Sequence, residues 1–380
     1  MRSSVHRLTL TDPGDVSPLA EAIERGELNP ATIVAVIGKT PGNGLVNDYT
    51  RGYLTQSLAL LIGEHTAIHW RRIIERIPFI FSGGTEGVLT PHITVFCTEP
   101  DGNSDGRPTL AIATAFTPEL APQAIGRKAQ AMDTAEAVRV AMGAAGIDDP
   151  ADVHFVQVKG PCLTASQISA AAASGLDVAG GNADKSMALS RVASAFGVAL
   201  ALGEISEDQL DDSAFLKDFT LYSGVASCSS GVEVRCNEIV LLGNSRKWAG
   251  DYRISHRPMA DALDISALYE LLDDLQLEPI ALSKSFAQNT TGTRSESPVM
   301  AAFVKCEADR RGLIRGQPHT MLNDGDMNQQ RHIRGAVGAI AAAVLADTRI
   351  FVSGGAEHQG PDGGGIVTAI ARKPEPDLQS

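Results

Sequence analysis

A short pattern that occurs three times constrains the fold of this chain more than any other feature. Each copy has a Ser at the end of an apolar, strand-like run, then small residues, and a Glu four positions after the Ser; the copies lie at 81–86, 228–233 and 352–357. A strand that ends in this way presents a hydroxyl beside exposed backbone N–H groups, which suits a nucleophile or an oxyanion contact. One copy would be ordinary turn chemistry, but three copies indicate an internal repeat.

Two further elements precede each Ser, in the same order. The first is an apolar run that ends in a Lys, namely Lys39, Lys159 and Lys305. The second is an Arg followed by an apolar helical pattern, with an acidic residue 13 positions later; these are Arg51, Arg191 and Arg334. The sequence therefore predicts three units, each built from a strand ending in Lys, a helix carrying Arg and a strand ending in Ser.

These repeats predict an α/β chain of three similar units about a pseudo-threefold axis, and not a doubly wound sheet. The 380 residues divide at two polar linkers into units 1–105, 110–246 and 252–380. The Lys and Ser strands of all three units would converge near the axis, with helices outside. A polar stretch rich in Ser and Thr, 282–298, is predicted to be an exposed insertion in the third unit.

The composition argues against several classes of partner. The net charge of −13 disfavours nucleic acid, which requires a basic surface. No run approaches the roughly 18 apolar residues of a membrane-spanning helix, and the N-terminus lacks the apolar core of a signal peptide. The five cysteines show no C-x-x-C spacing, which predicts reduced thiols without a disulfide framework or a zinc site. We therefore expect a cytoplasmic protein with no nucleic-acid or membrane partner.

Two other motifs invite interpretations that the spacing disfavours. Gly38-Lys39-Thr40 resembles the end of a phosphate-binding P-loop, but that motif needs a Gly where the chain has Ile33. His358 stands next to Glu357 and could be a metal ligand. No second ligand at a suitable spacing accompanies it, so a hydrogen-bonded structural role is favoured.

The pairing of Lys with Ser carries the predicted chemistry. A Lys acts as a general base only when its ammonium form is destabilised, by burial or by nearby positive charge. If three Lys and three Arg converge on one pocket, their mutual repulsion would free one Lys to take a Ser proton. The other cations would stabilise an oxyanion and an electron-rich substrate. The Glu after each Ser either balances this charge or fixes the turn, and the spacing does not indicate which Ser attacks.

Long stretches of the chain resemble the ring-opening cyclic amide hydrolases, the family of cyanuric acid hydrolase and barbiturase. The resemblance extends over nearly the whole length and is carried by residues 38–44, 46–51, 82–88, 154–159 and 353–361. It implies a central β-barrel-like core ringed by helices, with one active site shared by all three units. It also implies a homotetramer, a small cyclic imide as substrate and no cofactor for catalysis.

The resemblance also implies roles for individual residues. It assigns the nucleophile to Ser229 and the general base to Lys159, with Lys39 and Lys305 completing two further Ser–Lys dyads. The residues implied to hold the substrate are Arg51, Ser82, Gly83, Arg191, Ser229, Ser230, Arg334, Ser353 and Gly354. A structural divalent cation, Mg²⁺ or Ca²⁺, would be held by the Glu307 side chain and largely by the backbone of Ala356, Gln359, Gly360, Pro361 and Gly364.

The predicted reaction is hydrolysis of a six-membered cyclic imide through an acyl-enzyme, with barbituric acid opened to ureidomalonate. Cyanuric acid hydrolases tend to differ at four positions, where this chain has Gly160, Ser230, Gln330 and Ile333, and the 282–298 insertion is a further departure. One long polar side chain such as Gln330 is worth ~1–3 kcal/mol of discrimination between rings. The alternatives are cyanuric acid, opened to carboxybiuret, and a non-catalytic protein that binds a planar anionic heterocycle.

Overall fold

The structure, a computed structural model, describes residues 1–100, 103–278 and 297–373. The predicted insertion at 282–298 lies outside the described residues except for its last two positions, as does the end of the third predicted unit. The bounds of the three units stay a prediction.

Fourteen strands occur in the described residues, most of them about eight residues long. In chain order they are β1 (Arg2–Thr9), β2 (Ile33–Thr40), β3 (Phe79–Gly83), β4 (His92–Glu99), β5 (Thr109–Phe116), β6 (Val153–Pro161), β7 (Ala226–Gly231), β8 (Glu238–Ser245), β9 (Tyr252–Met259), β10 (Val299–Cys306), β11 (Leu313–Ile314), β12 (Gln317–Pro318), β13 (Phe351–Ser353) and β14 (Gly365–Arg372).

Eight α-helices occur in the same residues. They are α1 (Ser17–Glu24), α2 (Thr50–Thr66), α3 (Trp70–Ile74), α4 (Lys128–Ala144), α5 (Ala165–Ala173), α6 (Ala183–Ala201), α7 (Ile265–Asp274) and α8 (Gln329–Leu345). Within residues 1–100, 103–278 and 297–373, no helix has both the length and the apolar character that crossing a membrane requires.

Three four-stranded sheets share one strand order: β1-β4-β2-β3, β5-β8-β6-β7 and β9-β14-β10-β13. In each sheet the last two strands in that order are parallel, and the other neighbours are antiparallel. A barrel requires the two outer strands of a sheet to pair, and no such pairing occurs in the described part of the chain. The β-barrel-like core expected from the resemblance is therefore replaced by three open sheets.

The parallel pairs align each Lys with its Ser. Lys39 lies opposite Ser82, Lys159 opposite Ser229 and Lys305 opposite Ser353, always within two residues of the end of the strands. Side chains at one register position on neighbouring strands point to the same face of a sheet. The repeated spacing in the sequence thus becomes three Lys–Ser pairs of the same local geometry.

A helical crossover joins each Lys strand to its Ser strand, as parallel pairing requires. The crossover helices α2, α6 and α8 carry Arg51, Arg191 and Arg334, whose side chains are buried. Side-chain N-caps start two of these helices, since Asn182 accepts the backbone N–H of Lys185 and Asn328 accepts that of Gln330. A polar side chain at this position satisfies an otherwise unpaired helical N–H.

The largest apolar core draws on all three sheets. It includes Ile80 of the first sheet, Phe155 of the second and Phe303 and Phe351 of the third. The ring centroids of Phe155 and Phe303 are 4.6 Å apart, and those of Phe303 and Phe351 are 5.9 Å apart. Burying one such side chain contributes roughly 1.5–3 kcal/mol. This shared packing holds the Lys-ended and Ser-ended strands of different sheets in one place.

Candidate active site

A small cavity is lined by residues from all three predicted units. Ten of the predicted site residues line it: Arg51, Ser82, Lys159, Arg191, Ser229, Ser230, Gln330, Arg334, Ser353 and Gly354. Three residues that were not predicted as site residues complete the lining, namely Gly44, Phe81 and Met187. The sequence did contain a signal for Met187, because it stands four residues before Arg191, as Gln330 stands before Arg334.

Two of the three Ser–Lys dyads are joined by hydrogen bonds. Lys39 Nζ donates to Ser82 Oγ and to the Gly83 carbonyl, both at 3.1 Å. Lys305 Nζ donates to Ser353 Oγ at 3.1 Å and to the Gly354 carbonyl at 3.0 Å. Ser82 Oγ in turn lies 3.4 Å from Ser353 Oγ. Both hydroxyls are therefore held in fixed positions on the cavity wall.

The third dyad differs from the other two. Lys159 Nζ lies 2.7 Å from Glu233 Oε1 and donates to the Phe81 carbonyl at 3.3 Å. Ser229 Oγ is buried and hydrogen-bonds to no residue among those described. The register allows the two side chains to meet, and catalytic hydrogen bonds are often unformed before substrate binds. The second unit thus combines a free hydroxyl with a lysine that a carboxylate orients.

Each of the repeated Glu residues pairs with an Arg from a different unit. The Nε or Nη atoms of Arg51, Arg191 and Arg334 lie 2.7, 2.5 and 2.6 Å from carboxylate oxygens of Glu233, Glu357 and Glu86, respectively. The first unit thus binds the second, the second binds the third and the third binds the first. Buried Arg–carboxylate pairs of this kind are strong and geometrically specific. The Glu residues therefore balance charge and also join the units in a closed ring.

Glycines after two of the Ser residues leave room for this ring. Gly84 and Gly355 have φ of 101° and 70°, a region that side-chain-bearing residues rarely adopt. A Cβ at Gly84 would meet the guanidinium of Arg334, and one at Gly355 would meet that of Arg191. Small residues are thus required here because an arginine from another unit packs against the backbone.

Burial is the largest cause of the low lysine pKa values. It lowers the pKa of Lys159, against the opposing charge of Glu233 and with a further lowering by Arg51. Burial and then Arg191 lower the pKa of Lys305 to about 7, and burial followed by Arg334 lowers that of Lys39. Mutual repulsion among the cations, which we expected to supply the shift, is thus secondary to the loss of water around them.

Only two of the four positions that suggested barbituric acid line the cavity. Gln330 and Ser230 do, and the Ser230 hydroxyl donates to the Met187 carbonyl at 2.8 Å. Ile333 is fully buried in the apolar core of the third sheet. Gly160 faces away from the cavity, since a Cβ there would meet Gln130, Ser190 and Asn237.

The predicted metal ligands lie in the 356–364 loop and at Glu307, whose backbone N–H donates to the Gly364 carbonyl at 3.4 Å. Burial, and then the charges of Glu357 and Asp362, raise the pKa of Glu307 to about 8. The Gln359 side-chain oxygen accepts the backbone N–H of Cys228 at 2.6 Å. His358 uses both ring nitrogens, with the Leu221 carbonyl and the Leu216 N–H, in a structural role. The described chain has no cluster of three or more His, Cys, Asp or Glu side chains suited to a metal.

Comparison with known proteins identifies the family. Residues 4–372 match the amidohydrolase ring-opening protein family. The chain belongs to this family. A cyanuric acid amidohydrolase from Azorhizobium caulinodans is 46% identical over 372 residues, covering 98% of both proteins. One from Pseudomonas sp is 44% identical over 378 residues, covering 98% of this chain and 100% of the relative. A cyclic amide hydrolase from A. caulinodans is 42% identical over 376 residues, with the same coverage.

Solved structures of the family have the same fold. A cyanuric acid hydrolase described as an evolutionary innovation by structural concatenation matches with a TM-score of 0.91 and 41% identity, covering 98% of this chain and 99% of that chain. The crystal structure of the A. caulinodans cyanuric acid hydrolase matches with a TM-score of 0.88 and 45% sequence identity, and it covers the same shares of both chains. The chain is thus a ring-opening hydrolase of cyclic amide C–N bonds. The predicted family and enzyme class are confirmed, in preference to a non-catalytic binding protein.

Proposed function

We propose that this enzyme opens cyanuric acid, the alternative that the sequence placed second. Three Lys–Ser pairs with the same register contribute a hydroxyl each to a single cavity, which suits a ring with three carbonyls, as in both cyanuric and barbituric acid. One observation carries the choice between the two rings, namely the similarity to relatives that are named for cyanuric acid. Relatives named cyanuric acid amidohydrolase, 44–46% identical over the whole chain, support the same substrate.

In the proposed reaction one Lys–Ser pair carries out the chemistry and the other two bind the substrate. Ser229 Oγ attacks one ring carbonyl while Lys159, as the free amine, takes the Ser proton. Ser82 and Ser353, fixed by their lysines, hold the other two carbonyls. The proton on Lys159 then passes to the leaving ring nitrogen as the C–N bond breaks. Water finally releases the open product from the acyl-enzyme.

The choice of Ser229 over the other two serines has a physical basis. Ser82 and Ser353 accept hydrogen bonds from lysines, which occupies one of the two lone pairs of each oxygen and lowers its nucleophilicity. Ser229 Oγ carries no such bond within the described chain. Lys159 also has a third group, Glu233, that orients it, as in other nucleophile–base arrangements.

We also infer that the three units are related by a pseudo-threefold axis through the cavity. The equal strand orders of the three sheets and the closed ring of Arg–Glu pairs support this arrangement. A homotetramer and a cytoplasmic location stay predictions.

Barbituric acid is the second candidate, because Gln330 and Ser230 line the cavity and are departures from the pattern of cyanuric acid hydrolases. The two rings differ by one CH₂ in place of one N–H. We expect kcat/KM to favour cyanuric acid by about tenfold or more, a difference that one or two cavity side chains can produce. The measurement is loss of ring ultraviolet absorbance with each substrate. A ratio that favours barbituric acid by the same factor would reverse the choice and leave the family assignment standing.

We propose in addition that a divalent cation, Mg²⁺ or Ca²⁺, binds at Glu307 with backbone carbonyls of Ala356, Gln359, Gly360, Pro361 and Gly364. A buried carboxyl beside two other acids is disfavoured as an anion, and a cation would remove that cost. Oxygen donors are the ligands that both ions prefer. The ion would stabilise the 356–364 turn, next to Glu357 of the Arg–Glu ring, and take no part in bond cleavage.

Chelation tests the cation. We expect a metal chelator to lower the unfolding temperature of the wild-type enzyme, because an ion bound at 100 times its Kd contributes roughly 2.7 kcal/mol. The kcat of the enzyme that stays folded should change little. In Glu307→Gln the unfolding temperature should no longer respond to the chelator. A metal-free enzyme that is fully folded yet inactive would contradict a purely structural role.

A further inference from the structure

One face of the second sheet carries buried polar side chains where the other two sheets carry apolar ones. Gln157 and Ser227 are paired in register, two residues before Lys159 and Ser229 on the same strands. Residues two apart on a strand share a face, so this pair lies directly beneath the dyad. The corresponding pairs in the other sheets are Ile37 with Ile80 and Phe303 with Phe351.

These polar groups have no partners among the described residues. Gln157 and Ser227 are 0% and 1% exposed, yet both amide atoms of Gln157 and the Ser227 hydroxyl make no hydrogen bond. The same holds for Ser229 Oγ and for one carboxyl oxygen of Glu238, which lies opposite Lys159 on β8. Leaving such a group unpaired costs ~1–3 kcal/mol. Buried polar groups without protein partners are normally satisfied by ordered water.

The two hydroxyls stand one above the other on the same face of the sheet. A strand rises about 3.3 Å per residue, which puts the Cα atoms of Ser227 and Ser229 roughly 6.6 Å apart. A water that the Ser227 hydroxyl holds at ~2.8 Å on the side of Ser229 lies between the two serines, on the face that carries the dyad. Glu238 borders the same patch, and burial, opposed by Lys159, raises its pKa to about 8. The raised pKa favours the neutral acid, whose O–H can donate a hydrogen bond to water.

We propose that Gln157 and Ser227 bind an ordered water beneath Ser229 and that this water hydrolyses the acyl-enzyme. The inference rests on the proposed role of Ser229 as nucleophile. Lys159 takes one proton from the water, and the water oxygen bonds to the acyl carbon. The bond from that carbon to Ser229 Oγ breaks, and the Lys159 proton returns to Ser229. The product carries the new C–OH, so the enzyme regains its starting state.

In the second unit this site holds water next to the acyl ester, which the other two units cannot do. A ring seated on three serines covers the cavity side of the acyl group. Water held on the opposite, polar side remains next to the ester after the ring has opened. The first and third sheets have Ile or Phe side chains at this level, which exclude water, so an ester on Ser82 or Ser353 would have none nearby.

The test separates acylation from deacylation in the full-length enzyme. The double variant Gln157→Leu with Ser227→Ala removes the water-binding groups, and Ser227→Ala alone removes one hydroxyl if the double variant folds poorly. We expect a single rapid turnover of cyanuric acid, followed by a steady-state kcat lowered by ~10²-fold. Acid-quenched enzyme should carry a covalent adduct of one substrate mass, located on Ser229 by peptide mass spectrometry. The unfolding temperature should not fall, because the groups removed make no protein hydrogen bonds.

A matched control is Thr368→Val. Thr368 is another fully buried hydroxyl without a hydrogen bond in the described chain, but it lies on β14 of the third sheet. Thr368→Val should turn over at the wild-type steady-state rate, without an initial rapid turnover and without a covalent adduct. Normal steady-state turnover without an adduct in the Gln157 and Ser227 variants would overturn the inference alone. Failure of the wild-type enzyme to open either ring would instead overturn the proposed function and the inference with it.

Discussion

Replacing Ser229 with Ala is expected to abolish ring opening, with kcat lowered by ~10³-fold or more. Alanine lacks the oxygen that attacks the ring carbonyl, so no acyl-enzyme can form. The fold should be unaffected, because the Ser229 hydroxyl has no hydrogen-bond partner in the described chain and its removal leaves none unpaired. The measurement is kcat from the loss of ring absorbance, together with the unfolding temperature of the variant.

Ser82→Ala and Ser353→Ala are the matched controls, because both serines occupy the same register position as Ser229 in their own sheets. Each removes a hydroxyl that we assign to holding a carbonyl. We expect these variants to raise KM and to lower kcat by only ~10–100-fold, well short of the loss at Ser229. Substantial activity in Ser229→Ala, with no activity in one of the other two, would move the nucleophile to that unit.

The elements that place the chemistry could be predicted from the sequence, because they are local and repeated. An apolar run ending in Lys, an Arg on a helix and an apolar run ending in Ser each follow from a short stretch of chain. The structure adds that the two strands pair in parallel across the helix, as for Lys39 and Ser82. Because the pattern occurs three times, it supports the prediction more strongly than a single motif would.

The contacts between units could not be predicted in the same way. The Glu of each pattern binds the Arg of another unit, 182 residues away for Arg51 and Glu233. Nothing in the local sequence of either residue indicates a partner so far along the chain. The difference between Lys159 and the other two lysines has another origin, because Lys159 Nζ contacts Glu233 of its own unit, whereas Lys39 and Lys305 donate to the serines of theirs. The sequence repeat also does not indicate whether the outer strands of a sheet pair with each other. The absence of a barrel in the described residues could therefore not be predicted from it.

The prediction of barbituric acid relied on four positions close to the motifs in sequence, and only two of them line the cavity. Ile333 precedes Arg334 directly, but helical geometry turns adjacent side chains to different faces, and Ile333 enters the core. Gly160 follows Lys159, but strand alternation sends it to the opposite side of the sheet. Met187, four residues before Arg191, reaches the cavity because helical residues four apart share a face.

Replacing Lys159 with Met is expected to lower kcat/KM by ~10²–10⁴-fold at neutral pH, the range for loss of a general base. Methionine has a similar length and is apolar, so the buried site stays filled. Although burial favours the neutral acid, the charges of Lys159 and Arg51 lower the pKa of Glu233 to about 2. Arg51, whose Nε lies 2.7 Å from Glu233 Oε1 in the wild-type enzyme, is not altered by this substitution. The carboxylate therefore keeps a cationic partner, and the loss of rate can be ascribed to the base.

The pH dependence distinguishes a base from a residue that only shapes the site. Burial lowers the pKa of Lys159 below its ordinary value, and only the free amine can accept the Ser229 proton. The wild-type kcat/KM should therefore rise with pH through that lowered pKa and then level off. Lys159→Met should lose this rise, leaving the residual rate nearly independent of pH. Lys39→Met removes the lysine bound to Ser82 and should be slower. Its kcat/KM should still rise with pH, because Lys159, the base, is intact. A variant without Lys159 that kept the wild-type pH profile would exclude this lysine as the base, since the group that titrates would still be present.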